Sequence, residues 1–178
     1  MAIPGLRLRL PPMPIAAERI RTSAGTALLA REATADDLTA VNDLHNRCSA
    51  QTLLSRYHAG RNRLTVAEWD RMVDPAQGRT LVLTDPTEVV GYANVLRTAP
   101  AGPAEVSLLL RDDWQGAGVG RAIGGHLIRV ARRLGFTDLV AWTEPDNVRA
   151  IALLRGVGAR PDGHEPGVIC WALDLNRC

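Results

Sequence analysis

One stretch constrains this chain more than any other: Leu108, Leu109, Leu110, Arg111, Asp112, Asp113, Trp114, Gln115, Gly116, Ala117, Gly118, Val119, Gly120 and Arg121. An apolar run fit for a buried strand enters a turn with three alternate glycines. It leaves that turn in a helical pattern, Ile123, Leu127, Val130 and Leu134, which ends near Gly135. Such a turn aims several backbone N–H groups and the positive end of a helix dipole at one point, and glycine lets a phosphate come close. The chain therefore reads as an α/β protein with an anion cradle built from backbone.

The surrounding pattern supports that reading. Residues 26–31 form an apolar run suited to a first strand. Thr34 then opens a helix with Asp36 and Asp37 in its first turn, followed by Leu38, Val41, Leu44 and Cys48 at helical spacing. Thr65 and Glu68 make a capping box for a second short helix over 65–73. The runs 80–84 and 89–96 flank the turn Asp85, Pro86, Thr87 and predict an antiparallel hairpin, with 105–110 as the next strand. Beyond the glycine turn and its helix, 138–142 is a strand, 147–155 a helix and 168–175 a last strand. The order is strand, two helices, three antiparallel strands, helix, strand, helix, strand, with no repeat. Before it, residues 1–26 carry Pro4, Pro11, Pro12 and Pro14 and read as a flexible basic extension, in which Leu6, Arg7, Leu8, Arg9 and Leu10 alternate as a short edge strand would. The remainder, 27–178, is expected to be one domain.

Composition excludes several chemistries. All 21 basic residues are arginine. Without lysine there is no Schiff-base nucleophile, no pyridoxal-phosphate anchor, no kinase-type lysine and no P-loop lysine. The formal charge is +2, and Arg7, Arg9, Arg19 and Arg21 against Glu18 put +3 of it in the extension, so the body is nearly neutral. With seven aromatic residues in the chain, this argues against nucleic-acid binding. Cys48, Cys170 and Cys178 follow no ligand spacing, and His45, His58, His126 and His164 are scattered, so no metal is expected. The cysteines suggest a reducing compartment, with Cys48 and Cys170 as small buried apolar residues. No run of 18 apolar residues occurs and the N-terminus does not read as a signal peptide, so the expected location is the cytoplasm, away from membranes.

The glycine turn alone admits three readings: a turn needed only for tight packing, a dinucleotide fingerprint over Gly118, Gly120 and Gly124, or a coenzyme loop. The dinucleotide reading expects the turn to open the domain, whereas here four strands precede it. The run Gln115 to Gly120 resembles the Q/R-x-x-G-x-G/A pyrophosphate loop of the GNAT superfamily of acetyl-CoA-dependent N-acetyltransferases. Asn147, Ala150, Leu153 and Gly158 are similar to that family's second motif, and Trp114 sits where an aromatic often precedes the loop. The resemblance covers roughly 27–175. Within the superfamily, the stretch 49–82, with Ser55, Arg56, Tyr57, Arg63, Leu64 and Thr65, and the run from Ala104, Glu105 and Val106 to Gln115 resemble bacterial protein lysine acetyltransferases.

The resemblance implies a mixed, mostly antiparallel sheet of six to seven strands with about four helices, splayed between the fourth strand (105–110) and the fifth (138–142). It implies acetyl-CoA as co-substrate and an amine acceptor, a protein lysine or a small molecule. Glu105 is the implied general base, because attack on a thioester needs a neutral amine and an alkylammonium has a pKa of about 10.4. The implied cofactor-binding residues are Leu108 and Leu110 through their backbone, then Gln115, Gly116, Ala117, Gly118, Val119, Gly120 and Arg121, with Asn147. Asn147 also reads as a plain helix N-cap, Arg121 as a solvated first-turn residue and Glu105 as a structural carboxylate. Many members have a tyrosine acid in the second motif. Here that stretch is Leu153, Leu154, Arg155, so no general acid can be named. Asp36, Asp37, Asp112 and Asp113 are the carboxylates a polycationic acceptor would need. A non-catalytic acyl-CoA-binding module is the alternative from another class, and the chain is expected to be a monomer or homodimer. Having no lysine, it offers acetylation of itself only the α-amine of Met1.

Overall fold

The computed structural model describes residues 14–22, 25 and 27–177. The alternating segment at 6–10, Pro4, Pro11, Pro12 and Cys178 lie outside them. Eight strands form one sheet: β1 Glu18–Arg21, β2 Ala27–Glu32, β3 Gly78–Thr84, β4 Val89–Arg97, β5 Ala104–Leu110, β6 Asp138–Thr143, β7 Arg160–Glu165 and β8 Val168–Asp174. Their order is β1-β2-β3-β4-β5-β6-β8-β7. Every neighbouring pair is antiparallel except β5 and β6. Five helices flank the sheet: α1 Leu38–Asn46, α2 Ala50–Tyr57, α3 Val66–Val73, α4 Val119–Arg133 and α5 Val148–Gly156.

The sheet is a sandwich filling. β3 and β4 are buried along almost their whole length, because both faces are covered and neither face of those strands meets water. On one face, Ala93, Val95, Leu110, Ile123, Leu127, Val130 and Trp171 pack with α4 and α5. On the other, Val41, Leu44, Leu53, Trp69, Tyr92 and Leu109 pack with α1, α2 and α3. Asn42 staples α1 to the chain entering α3: its Nδ2 donates to Leu64 O (3.1 Å) and Leu64 N–H donates to its Oδ1 (2.8 Å). The capping box at Thr65 is formed. α4 ends as its glycine requires: Gly135 has φ +78, with Phe136 N–H donating to Ala131 O and Gly135 N–H to Arg132 O, both 3.0 Å.

The architecture is a mixed, mostly antiparallel sheet flanked by helices, as expected, with more elements than the sequence announces. β1 lies inside the stretch read as a loose extension. Ile20 is buried, and Glu18 reaches Arg129 (2.7 Å) and His126 (3.0 Å) on α4, so 18–21 is docked on the sheet. β7 is fully exposed and carries Pro161 and Gly163 at a register shift. With no buried face it has no alternation to read. α2 buries only Leu53, too little for a periodic signal. Cys48 and Cys170 are half-buried, not core residues. No helix among the described residues is long and apolar enough to cross a membrane.

Candidate functional site

β5 and β6 run side by side for two residue pairs only, Ala104 with Leu139 and Glu105 with Val140. Beyond them the strands part. The opening is a cleft of about 1070 Å³, lined by β5, β6, α2, the glycine turn and α5. Arg111 N–H donates to Val90 O (3.0 Å) and Leu110 sits opposite Gly91. In an antiparallel ladder this sends the backbone groups of odd-numbered β5 residues towards β4, and those of Val106, Leu108 and Leu110 towards the cleft. The edge is unpaired where the strands have parted.

The glycine turn closes one end. Gly116 and Gly118 have φ +77 and +80, which only glycine adopts at little cost. Among the described residues, no backbone carbonyl takes the N–H groups of 116–121, and α4 begins at Val119 with its dipole pointing at them. The Arg121 side chain has no hydrogen bond or ion pair among the described residues, and its Nη2 lies 3.4 Å from where a Cβ on Gly156 would be. This is a concentrated donor surface without acceptors.

The Gln115 side chain makes three hydrogen bonds at the cleft. Its Nε2 donates to Leu110 O (2.9 Å) and Thr52 Oγ1 (3.1 Å), and its Oε1 accepts from Arg149 (2.9 Å). The side chain is spent tying β5, α2 and α5 together. Asn147 caps α5, accepting from Ala150 N–H (3.1 Å) at the cleft wall.

Glu105 is half-buried on the cleft, and its carboxylate has no hydrogen bond or ion pair among the described residues. On the same sheet face follow Ser107 and Leu109, with Val140 and Trp142 across the splay. Of the four clustered carboxylates that a polycation would need, three are engaged, while Asp36 has no side-chain bond among the described residues and does not line the cleft. Asp37 is bidentate to Arg31 (2.6 and 2.9 Å) and Asp113 to Arg111 (2.6 and 2.9 Å). Asp112 accepts from Ser49 N–H (2.8 Å), Ser49 Oγ (2.7 Å) and Thr52 Oγ1 (2.8 Å). Burial pushes the Asp112 carboxyl up, but these donors outweigh it and hold it below its usual range. Sequence reasoning missed this anchor, since 63 residues separate its ends. Burial pushes the Cys48 thiol up to about 11. No group of three or more metal-capable side chains occurs among the described residues.

The two tyrosines are also engaged. His45 Nδ1 lies 2.6 Å from Val41 O and Nε2 lies 2.5 Å from Tyr57 Oη, itself 2.5 Å from Tyr92 Oη. A carbonyl can only accept, so Nδ1 carries the proton, Tyr57 donates to Nε2 and Tyr92 donates to Tyr57. Burial lowers the His45 pKa, while it raises that of Tyr57 with help from Tyr92. The chain is thus neutral and the sign of its pH effect is fixed: below the unfolded value of about 6.5 the unfolded chain binds a proton that the native ring refuses. His126, also lowered by burial, acts in the same direction. The urea midpoint is therefore expected to fall between pH 7.5 and 5.5, and His45→Asn to flatten part of that slope. A midpoint unchanged over this interval would contradict the neutral chain.

Comparison with known proteins places these features. The family model described as Acetyltransferase (GNAT) family matches residues 38–159. L-methionine sulfoximine/L-methionine sulfone acetyltransferases of Pseudomonas paraeruginosa and Pseudomonas aeruginosa are 37% identical over 85 residues, 46% of this chain and 49% of theirs. The match thus spans about half the length of these curated relatives. Among solved structures, the GNAT domain of S. lividans PAT superposes with a TM-score of 0.81 at 25% identity, covering 89% of this chain and 96% of that one. A putative acetyltransferase from Salmonella typhimurium with its cofactor acetyl-CoA gives 0.68 at 23% identity, covering 84% and 95%, a likeness of fold.

Proposed function

The chain belongs to the GNAT acetyltransferase family, and from that premise we propose that it transfers the acetyl group of acetyl-CoA to a primary amine with Glu105 as general base. The observation that carries this reading is the Glu105 carboxylate: half-buried, without a partner, at the point where β5 and β6 part and on the cleft that the glycine turn closes. That carboxylate is left for something that enters.

The residues present fit the coenzyme. Backbone N–H groups of Gly116, Ala117, Gly118, Val119, Gly120 and Arg121, the α4 dipole and the free Arg121 guanidinium suit a pyrophosphate. The cleft-facing backbone of Leu108 and Leu110 suits an amide-rich arm, while Gln115 and Asn147 hold the walls. Acetyl-CoA, when bound, supplies the activated acyl carbon. Glu105 takes a proton from the acceptor ammonium, directly or through water, and so makes the nitrogen nucleophilic. Leu110 N–H faces the cleft and is placed to stabilise negative charge developing on oxygen. No side-chain acid is assigned, since both tyrosine hydroxyls are spent in the core, and a thiol of pKa about 8.5 leaves tolerably as thiolate.

For the acceptor, a protein lysine and a small amine both enter from the sequence reading. Asp37, Asp112 and Asp113 are engaged and Asp36 does not line the cleft, which weighs against a polyamine or aminoglycoside, and the names of the Pseudomonas relatives favour a small amine. A cytoplasmic setting and a single domain over 27–178, with β1 docked on it, belong to the same proposal. The test is release of free thiol from acetyl-CoA with a panel of amino acids, polyamines, aminoglycosides and lysine peptides. Turnover with a primary amine is expected. Thermal stabilisation by acetyl-CoA with no thiol release across the panel would instead favour a non-catalytic binding module.

A further inference from the structure

α2 is held rigidly along β5. Asp112 fixes its first turn through Ser49 and Thr52, and Gln115 adds a second tie to Thr52. Ser49, Thr52 and Arg56 are spaced i, i+3, i+7, which puts them on one helix face, and all three line the cleft. Arg56 is therefore presented to the cleft by an anchored element.

Its guanidinium stands 5.0 Å from the centroid of the Tyr57 ring and 5.5 Å from that of Tyr92. Its Nε is buried and has no hydrogen-bond partner, and no ion pair reaches the side chain among the described residues. Arg31, Arg47, Arg61, Arg79, Arg111 and Arg129 each have a carboxylate. Of the other two cleft arginines, Arg121 belongs to the glycine turn and Arg149 is bonded to Gln115. Arg56 differs from both by its sheet face. Tyr92 stands opposite Leu109, so Arg56 lies over the face that also carries Ser107 and Glu105.

A half-buried guanidinium without a carboxylate is retained by its aromatic stacking, yet its forked donors suit a planar oxyanion. Leu109 and Glu105 are four residues apart, about 14 Å along the strand. Arg56 and Glu105 thus line the same face of the cleft at different points along β5, an arrangement that suits a small molecule carrying both an anion and an amine.

We infer that Arg56 binds an acidic group of the acceptor, which is thereby a small amine bearing a carboxylate or similar oxyanion a few bonds from its nitrogen, of amino-acid size. The inference rests on the acetyl-transfer reading. Arg56 fixes the anion and Glu105 receives the proton from the amine, so the two together choose a zwitterion over a plain amine. Ser107, between them on the strand, lines the floor.

The test uses the full chain, acetyl-CoA and two pools: the common L-amino acids, and the same compounds as carboxamides, with a lysine-containing peptide as a third arm. Thiol release and thermal stabilisation of the CoA-loaded protein are both read. The amino-acid pool is expected to exceed the amide pool by about 100-fold in kcat/KM. Arg56→Gln should raise KM for the acids at least tenfold with kcat within threefold and leave the amides unchanged, and Arg56→Lys should restore part of the loss. Equal use of acids and amides, preference for the peptide lysine, or discrimination surviving in Arg56→Gln each overturns the inference while leaving acetyl transfer intact. Arg56-dependent stabilisation by acids without thiol release would overturn acetyl transfer and keep the anion site. Silence of both pools in both readouts overturns the anion site.

Discussion

Glu105→Gln is expected to lower kcat by about 10² to 10⁴-fold, the range for losing a positioned base, while the dissociation constant for acetyl-CoA stays within about twofold. The substitution is nearly isosteric and breaks no native bond, because the carboxylate has no partner among the described residues. Stability should accordingly change by no more than about 0.5 kcal/mol, as for substitutions away from paired groups. Calorimetric titration with acetyl-CoA beside steady-state thiol release separates the two effects. Undiminished turnover would remove Glu105 from the mechanism, and equal loss of binding and turnover would make it a cofactor-site residue.

Gly118→Val is expected to weaken acetyl-CoA binding by at least about 30-fold. Two costs combine. At φ +80 a β-branched residue is forced into the left-handed region, a strain of about 1–2 kcal/mol or more for a residue with Cβ. Release of that strain turns the N–H groups of the turn away from one another and removes the concavity. The side chain also stands where an anion would approach. Gly163→Val is the matched control: it lies on the exposed strand β7, with nothing within 4 Å of an added Cβ, and should leave affinity unchanged. Coenzyme affinity surviving in Gly118→Val would show that the turn serves packing alone.

What could be read from the sequence was what is encoded locally. The strand, glycine turn and helix around Gly116–Gly120, the hairpin on either side of Asp85 and the capping box at Thr65 and Glu68 are each written in a few neighbouring residues. Local signals failed where an element draws its stability from distant partners. α2 is anchored by Asp112, 63 residues away in the chain, which receives its first turn, and β1 is held by its pairing with β2 and the burial of Ile20. β7 has no buried face to betray it. The site divides in the same way. The glycine turn was visible locally and Glu105 only through the family resemblance, whereas the use of Gln115 as a tie, and the absence of a carboxylate on Arg56 among the described residues, are properties of residues brought together only by the fold.

The two residue pairs joining β5 to β6 have a mechanical consequence. Every other junction in the sheet holds at least four pairs, so the sheet is two plates, β1 to β5 and β6 to β7, meeting at a short seam. Across that seam the plates are joined chiefly by the core they share beneath α4. A ligand lying along the seam touches both plates and acts as a rivet. Its affinity and the cohesion of the two plates are then one quantity measured from two sides, and whatever loosens the seam must also loosen the ligand.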